Sequence, residues 1–203
     1  MHVPPEVDGV GDVQSRTPPG PEPDLIPAEP ESRLSAELAS VVAGARRRAV
    51  RDGDRQIDTA HLLHSLLESD PEVRAVFTDG AQVVRLLGYL VQRSIGYGLQ
   101  WQGTVEDSGA VPVVRSGKET GWSPAAVLAM EVALERAERR GDARALGMDL
   151  LAGLVADAEC RAVEVLGRAG VDVEVLLKRV EAGCRQYASG DHGYLGGSGQ
   201  ERA

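Results

Sequence analysis

Ile57-Asp58-Thr59-Ala60-His61-Leu62-Leu63 is followed, 88 positions later, by Ala145-Leu146-Gly147-Met148-Asp149-Leu150-Leu151. The likeness extends outward from these two stretches in both directions. Upstream, Leu34-Ser35 and Gly53-Asp54 match Trp122-Ser123 and Gly141-Asp142; downstream, Leu66 matches Leu154. After that pair the spacing slips by one residue, and Glu72-Val73-Arg74-Ala75-Val76 aligns with Glu159-Cys160-Arg161-Ala162-Val163. One unit is therefore present twice. Each copy of a repeat commonly presents a face that only its neighbour covers, so a groove between the copies is the first place to look for function.

The periodicity within each copy is helical. Leu38, Val41, Val42, Ala45 and Ala49 recur at steps of three and four and form one apolar stripe. Ser35 is placed to cap that helix and Gly53 to end it in the left-handed conformation. A second helix is predicted from Asp58-Thr59 with Leu62, Leu63, Leu66 and Leu67 inward, and a short third from Pro71 through Val73, Val76 and Phe77. A fourth is expected from about Asp79 to Gly96, with Val83, Val84, Leu87, Leu90 and Val91 as its apolar face. The second copy retraces this order. Ser123-Pro124 is its start signal, Val127, Met130, Ala133, Leu134 and Ala137 its stripe, and Gly141 its stop. Helices over 148–155, 159–168 and 173–187 complete it. The fold class is all-α, two four-helix units.

Composition frames this reading. A chain of 203 residues can bury roughly 70% of its unfolded surface, and with one Phe, two Trp and four Tyr its core must be built from Leu, Val and Ala. Eight of the eleven prolines fall before Glu31, so residues 1–32 are expected to be a disordered leader. Repeat one then covers 33–98, a linker 99–121, repeat two 122–187, and a Gly-rich disordered tail 188–203. The linker lacks helical period, although Val111-Pro112-Val113-Val114 suits a short extended piece, and it reads as a flexible connector. A net charge of −9 argues against nucleic acid, whose phosphates demand clustered Lys and Arg. No apolar run is long enough to span a bilayer and no signal pattern opens the chain, so the expected location is cytoplasmic. Cys160 and Cys184 are too few for a disulfide framework or a four-ligand zinc site.

The repeated motif resembles the Clp N-terminal repeat domain, the module at the front of ClpA- and ClpC-type AAA+ unfoldases. In that family each repeat opens with aromatic-Thr-(Pro), runs through a long helix, and then reads Ile-Gly-Thr-Glu-His-Leu-Leu. Here Leu34-Ser35 and Trp122-Ser123-Pro124 stand at the openings, and the two stretches quoted at the outset stand at the second motif. The resemblance covers roughly 33–98 and 122–187. It implies two four-helix repeats related by a pseudo-twofold axis, and a surface that docks peptides, adaptors, substrate proteins or cyclic peptides. The only Gly-Lys pair, Gly117-Lys118, lacks the surroundings of a phosphate-cradling loop. The resemblance therefore implies a free-standing N-domain without ATPase modules, acting as adaptor or decoy for a Clp unfoldase or protease. A regulator docking on the unfoldase itself is the alternative reading; a small enzyme with a site in the same groove is a third.

Residue roles follow from the resemblance position by position. The family Glu that holds a phosphoarginine guanidinium is replaced by Ala60 and Met148, which offer it no carboxylate. The cap hydroxyls persist as Ser35 and Ser123. The aromatic position that lines the family's inter-repeat groove is Trp122; Met130 and Glu131 match its apolar and acidic positions, Val42 matches an apolar one from the first repeat, and Val127 departs from the Lys that relatives carry. Trp122 also suits a staple packed on its own helix. Ser35, Val42, Trp122, Ser123, Met130 and Glu131 are thus the expected ligand-binding residues.

Reactive machinery is not expected. No Gly-x-Ser-x-Gly, His-Glu-x-x-His or sequence-adjacent Cys-His pattern is present, and no cofactor is implied. His61, His64 and Glu68 are spaced to share a helical face that could hold a divalent metal, but a fourth ligand is lacking and His61 falls where the family has a structural His. Arg46-Arg47-Arg48 and Glu138-Arg139-Arg140 read as solvated helix faces.

Overall fold

The computed structural model describes residues 30–94, 106 and 121–188. The expected leader up to residue 29, the extended piece at 111–114 and the tail from 189 lie outside the described residues. A single 3-10 turn, Pro30–Arg33, takes in the last residues assigned to the leader. Repeat one follows as α1 (Ala36–Asp52), α2 (Thr59–Ser69), α3 (Pro71–Ala75) and α4 (Gly80–Ser94). Repeat two is α5 (Pro124–Arg140), α6 (Gly147–Ala156), α7 (Arg161–Arg168) and α8 (Val173–Ala188). The described residues form no strand beyond two isolated bridges.

The long helices begin and end as their sequences dictate. Ser35 Oγ accepts the Leu38 N–H at 3.1 Å and Ser123 Oγ accepts the Ala126 N–H at 3.2 Å. Each hydroxyl satisfies an amide that the first turn leaves without a helical partner. Gly53 and Gly141 close the helices at φ 74° and 80°, where any other residue would be strained.

Within each repeat the long first helix packs on the second, α1 on α2 and α5 on α6. The α1 stripe of Leu38, Val41, Val42, Ala45 and Ala49 is buried, as are Leu62, Leu63, Leu66 and Leu67 of α2. On α5 the buried face is mostly alanine (125, 126, 129, 133 and 137) with Met130, while Val127 and Leu134 lie at its margin. Small residues let α5 and α6 approach closely: a Cβ at Gly153 would sit 2.2 Å from the Ala129 carbonyl oxygen.

Helix α4 is rotated relative to expectation. Val83, Leu86 and Leu90 face the core, whereas Val84 and Val91 are exposed. Adjacent apolar pairs, Val83-Val84 and Leu86-Leu87, admit two stripes about 100° apart. Packing on α2 and α7 selects the one through Leu86.

The repeats are joined by reciprocal contacts. Leu34 bridges Ala145 in parallel and Ile57 bridges Trp122 in the same sense. At the first seam Ser35 N–H donates to Ala145 O (3.0 Å) and Ala145 N–H to Arg33 O (2.8 Å). At the second, Ile57 N–H donates to Gly121 O (2.6 Å) and Ser123 N–H to Ile57 O (2.8 Å). Thus the entry to each long helix is stitched to the start of the other repeat's second helix. Helix α2 also packs on α7, α3 on α6, and α2 on α6, the pairings a pseudo-twofold axis requires.

Candidate functional site

The seam at Ile57 and Trp122 gathers the starts of α2, α5 and α7. Asp58 caps α2 by accepting the His61 N–H at 2.9 Å, and its other oxygen accepts from the Arg161 guanidinium at 2.7 Å. Thr59, the first residue of α2, accepts the Ala162 N–H on its hydroxyl at 3.0 Å. All of these groups are buried. A salt bridge so enclosed is held in place by its further hydrogen bonds as much as by Coulomb attraction.

Into this junction comes Glu106, a linker residue that is only 5% exposed. Its Oε1 accepts from the Thr59 hydroxyl and from the Arg161 N–H (2.7 Å); its Oε2 accepts from the Thr59 N–H (2.9 Å) and the Ser123 hydroxyl (2.8 Å). Four donors from three helix starts therefore converge on one carboxylate, and two are first-turn amides at the positive ends of helices. At Glu106 the linker is fastened rather than free, which corrects the expectation of a flexible connector there.

Among the expected ligand-binding residues, Trp122 is half-buried, bridged through its backbone to Ile57 and packed against the core. Both readings of its side chain, anchor and staple, are compatible with that position. Ser123 beside it is fully buried and uses its hydroxyl twice, towards Ala126 N and Glu106. Ser35 lies at the other seam, beside Ala145. Val42 and Met130 are buried core residues, and Glu131 is half-buried on α5. The structure thus brings Trp122 and Ser123 together at one seam and sets Ser35 at its symmetry mate.

The two repeats close the end of the long helix onto the second helix with different residue pairs. In repeat one His61 Nε2 faces Asp54 at 3.2 Å and Asp52 at 3.8 Å. In repeat two the corresponding Asp149, fully buried, is gripped by Arg140 through both terminal guanidinium nitrogens, one at 2.6 Å, and that clasp raises the Arg140 pKa further. Arg140 therefore departs from the solvated face expected of it. His64 turns elsewhere, to Glu68 at 3.1 Å, and Glu68 also pairs with Arg48. His61 and His64 accordingly do not converge on one ion. Asp54, Asp58 and His61 cluster closely, but both Asp58 oxygens already serve the His61 amide and the Arg161 cation.

A recess of about 220 Å³ is lined by Arg136, Arg139, Arg140, Glu181, Cys184 and Arg185. Arg136 meets Glu181 at 3.1 Å and Arg140 meets Asp142 at 2.9 Å, so two of its four arginines are paired with carboxylates. It lies at the opposite end of α5 from Ser123, roughly 20 Å away by helical rise. Burial lifts the Cys160 thiol to about 11 and its Sγ donates to the Leu154 carbonyl at 3.2 Å, so it has no thiolate character near neutrality.

No family model matches the sequence, and no curated protein matches it at a significant level. Solved structures do. The N-terminal domain of the caseinolytic-protease-associated chaperone ClpD from Arabidopsis thaliana superposes with a TM-score of 0.52 at 16% identity, over 75% of this chain and 95% of that one. The Hsp104 N-terminal domain from Candida albicans gives 0.53 at 12% identity, over 72% and 88%. A structure from investigations of a malarial protein secretion system gives 0.53 at 13%, over 76% and 96%. The chain thus has an all-α, double-repeat architecture, and its fold is that of Clp N-terminal domains. No helix among the described residues is long and apolar enough to cross a membrane.

Proposed function

We propose that this chain is a non-enzymatic binding protein that recognises peptides, adaptors or cyclic peptides along the seam between its repeats, as adaptor or decoy for a Clp unfoldase or protease. The observation that carries the reading is the position of Trp122: a large aromatic side chain, half-buried, at the junction where the second repeat is stitched to Ile57 of the first. Aromatic anchors of this kind contribute a large share of binding energy where a pocket dehydrates them. Trp122 is the anchor, Glu131 a rim contact, and Met130 and Val42 the apolar floor, with Ser35 and Ser123 at the two helix starts. A non-catalytic role is supported by the way the seam's polar groups are spent on one another.

The test is a binding screen against cyclic peptides and phosphoarginine-bearing peptides, with Trp122→Ala run beside the native chain. Cyclic or linear peptides are expected to bind and to lose about tenfold or more in affinity on truncation of Trp122. Unchanged affinity in Trp122→Ala removes this seam as the site. Phosphoarginine peptides are expected to show no preference over their unmodified forms, since Ala60 and Met148 leave the guanidinium without a carboxylate.

A further inference from the structure

The four donors around Glu106 form a receptor for a carboxylate, assembled from both repeats: Thr59 from α2, Ser123 from the α5 cap, Arg161 from α7. Helices α2 and α7 run 11 and 8 residues, and their first-turn amides cannot find partners within the helices. Without an anion those amides and hydroxyls would be buried and unsatisfied. The anion supplied is the chain's own, yet it comes from 47 residues beyond Thr59 and 55 before Arg161, not from either helix.

The symmetry-related junction is filled differently. There Asp70, the cap residue of α3, accepts the Glu72 and Val73 amides at 2.9 and 3.1 Å. Its second oxygen occupies space at Gly147, where a Cβ would lie 2.1 Å away. Gly147 aligns with Thr59, so the second junction has given up its hydroxyl to admit a carboxylate fixed in a helix cap. Asp70 cannot leave without uncapping α3. Glu106 belongs to none of the three helix starts it bridges, so its place is the exchangeable one of the two.

We propose that the Glu106 receptor is an exchangeable carboxylate site, occupied in the free protein by the linker and taken over by a carboxylate of the bound peptide, from an Asp or Glu side chain or the C-terminus. This rests on the peptide-binding reading above and gives it a ligand chemistry. Ser123, which donates to Glu106, directly follows Trp122 in the chain, so the receptor lies at the same seam as the proposed anchor. Glu106 is then a built-in competitor: it lowers affinity for ligands that bring a carboxylate to the receptor, because each must first displace it.

Two measurements separate the receptor from the exchange. Thermal unfolding of Glu106→Ala is followed in acetate and in chloride of equal ionic strength, with Glu106→Gln as the better-folding second variant. Acetate is expected to raise the midpoint of Glu106→Ala saturably and to leave the native chain unmoved; equal effects of both salts in both variants overturn the receptor. Native chain and variants are next titrated with an acidic peptide library carrying free C-termini, and with the same library amidated and with Asp and Glu replaced by Asn and Gln. Glu106→Ala is expected to bind the acidic library about tenfold tighter than the native chain, with no gain for the neutral one. No gain, or an equal gain for both libraries, overturns exchange. Insensitivity to Trp122→Ala sinks the peptide-binding reading instead, while acetate rescue still stands.

Discussion

The Arg161 guanidinium donates to Asp58 at 2.7 Å across 103 residues of sequence, tying the third helix of one repeat to the cap of the second helix of the other. Both side chains are buried, at 9% and 3% exposure. Asp58→Ala therefore leaves a buried cation with one partner fewer and removes the α2 cap together. It is expected to destabilise the protein by about 3 kcal/mol or more in urea unfolding. Arg161→Met, which removes the charge along with its need for a partner, is expected to be the milder change.

The two serine caps offer an internal control. Ser35→Ala removes one cap hydrogen bond and is expected to lower stability by about 1 kcal/mol. Ser123→Ala removes its cap bond and one of the four donors to Glu106. Its loss is expected to exceed that of Ser35→Ala by roughly 1 kcal/mol or more; equal midpoints in thermal unfolding would show that Glu106 gains nothing from Ser123.

Glycine is indispensable where α5 and α6 approach closely and optional where α8 packs on α6. Gly153→Ala drives a methyl group into the Ala129 backbone, which can yield only by separating the helices, and is expected to destabilise by about 2–3 kcal/mol. At Gly183 the nearest obstacle is the tip of the flexible Met148 side chain, 2.9 Å away. Gly183→Ala is expected to be near neutral or stabilising, since alanine favours the helix by roughly 1 kcal/mol.

Burial, with Arg48 beside it, pushes the His64 imidazole down to about 4 against the opposing pull of Glu68. The native side chain is then neutral above pH 4, while the unfolded one takes up a proton near pH 6.5. Between those values the unfolded state binds more protons, so His64's contribution to stability is full above pH 6.5 and declines by on the order of 2 kcal/mol as pH falls to 4. His64→Gln is expected to flatten the stability profile in that window and leave it unchanged above pH 7.

The duplication, the capped long helices and the α1 and α2 stripes were legible in sequence because each is a local pattern of period or punctuation. The orientation of α4 was not, since paired apolar residues fit either face until α2 and α7 choose one. Arg140 read as solvent-facing because its buried partner, Asp149, stands at the position where the other repeat carries His61. Alignment of Asp52 with Arg140 and of His61 with Asp149 would have exposed that difference. Glu106 had no such signal. One of three acids in a Gly, Ser and Val-rich segment, it has nothing local to distinguish it from Asp107 and Glu119, and its donors become visible only when three distant helix starts come together. Trp122 and Ser123 were picked out by the opening motif they share with Leu34-Ser35, whereas the burial of Val42 and Met130 is a product of packing.

The most direct test follows the backbone amides of the uniformly labelled protein while a peptide from the screen is added. Recognition at the seam predicts that the signals of Ile57, Thr59, Trp122 and Ser123, which lie 65 positions apart in sequence but are stitched together in space, shift along one binding curve. Shifts confined to a single repeat, or centred on the Arg136 and Arg185 recess, would contradict it.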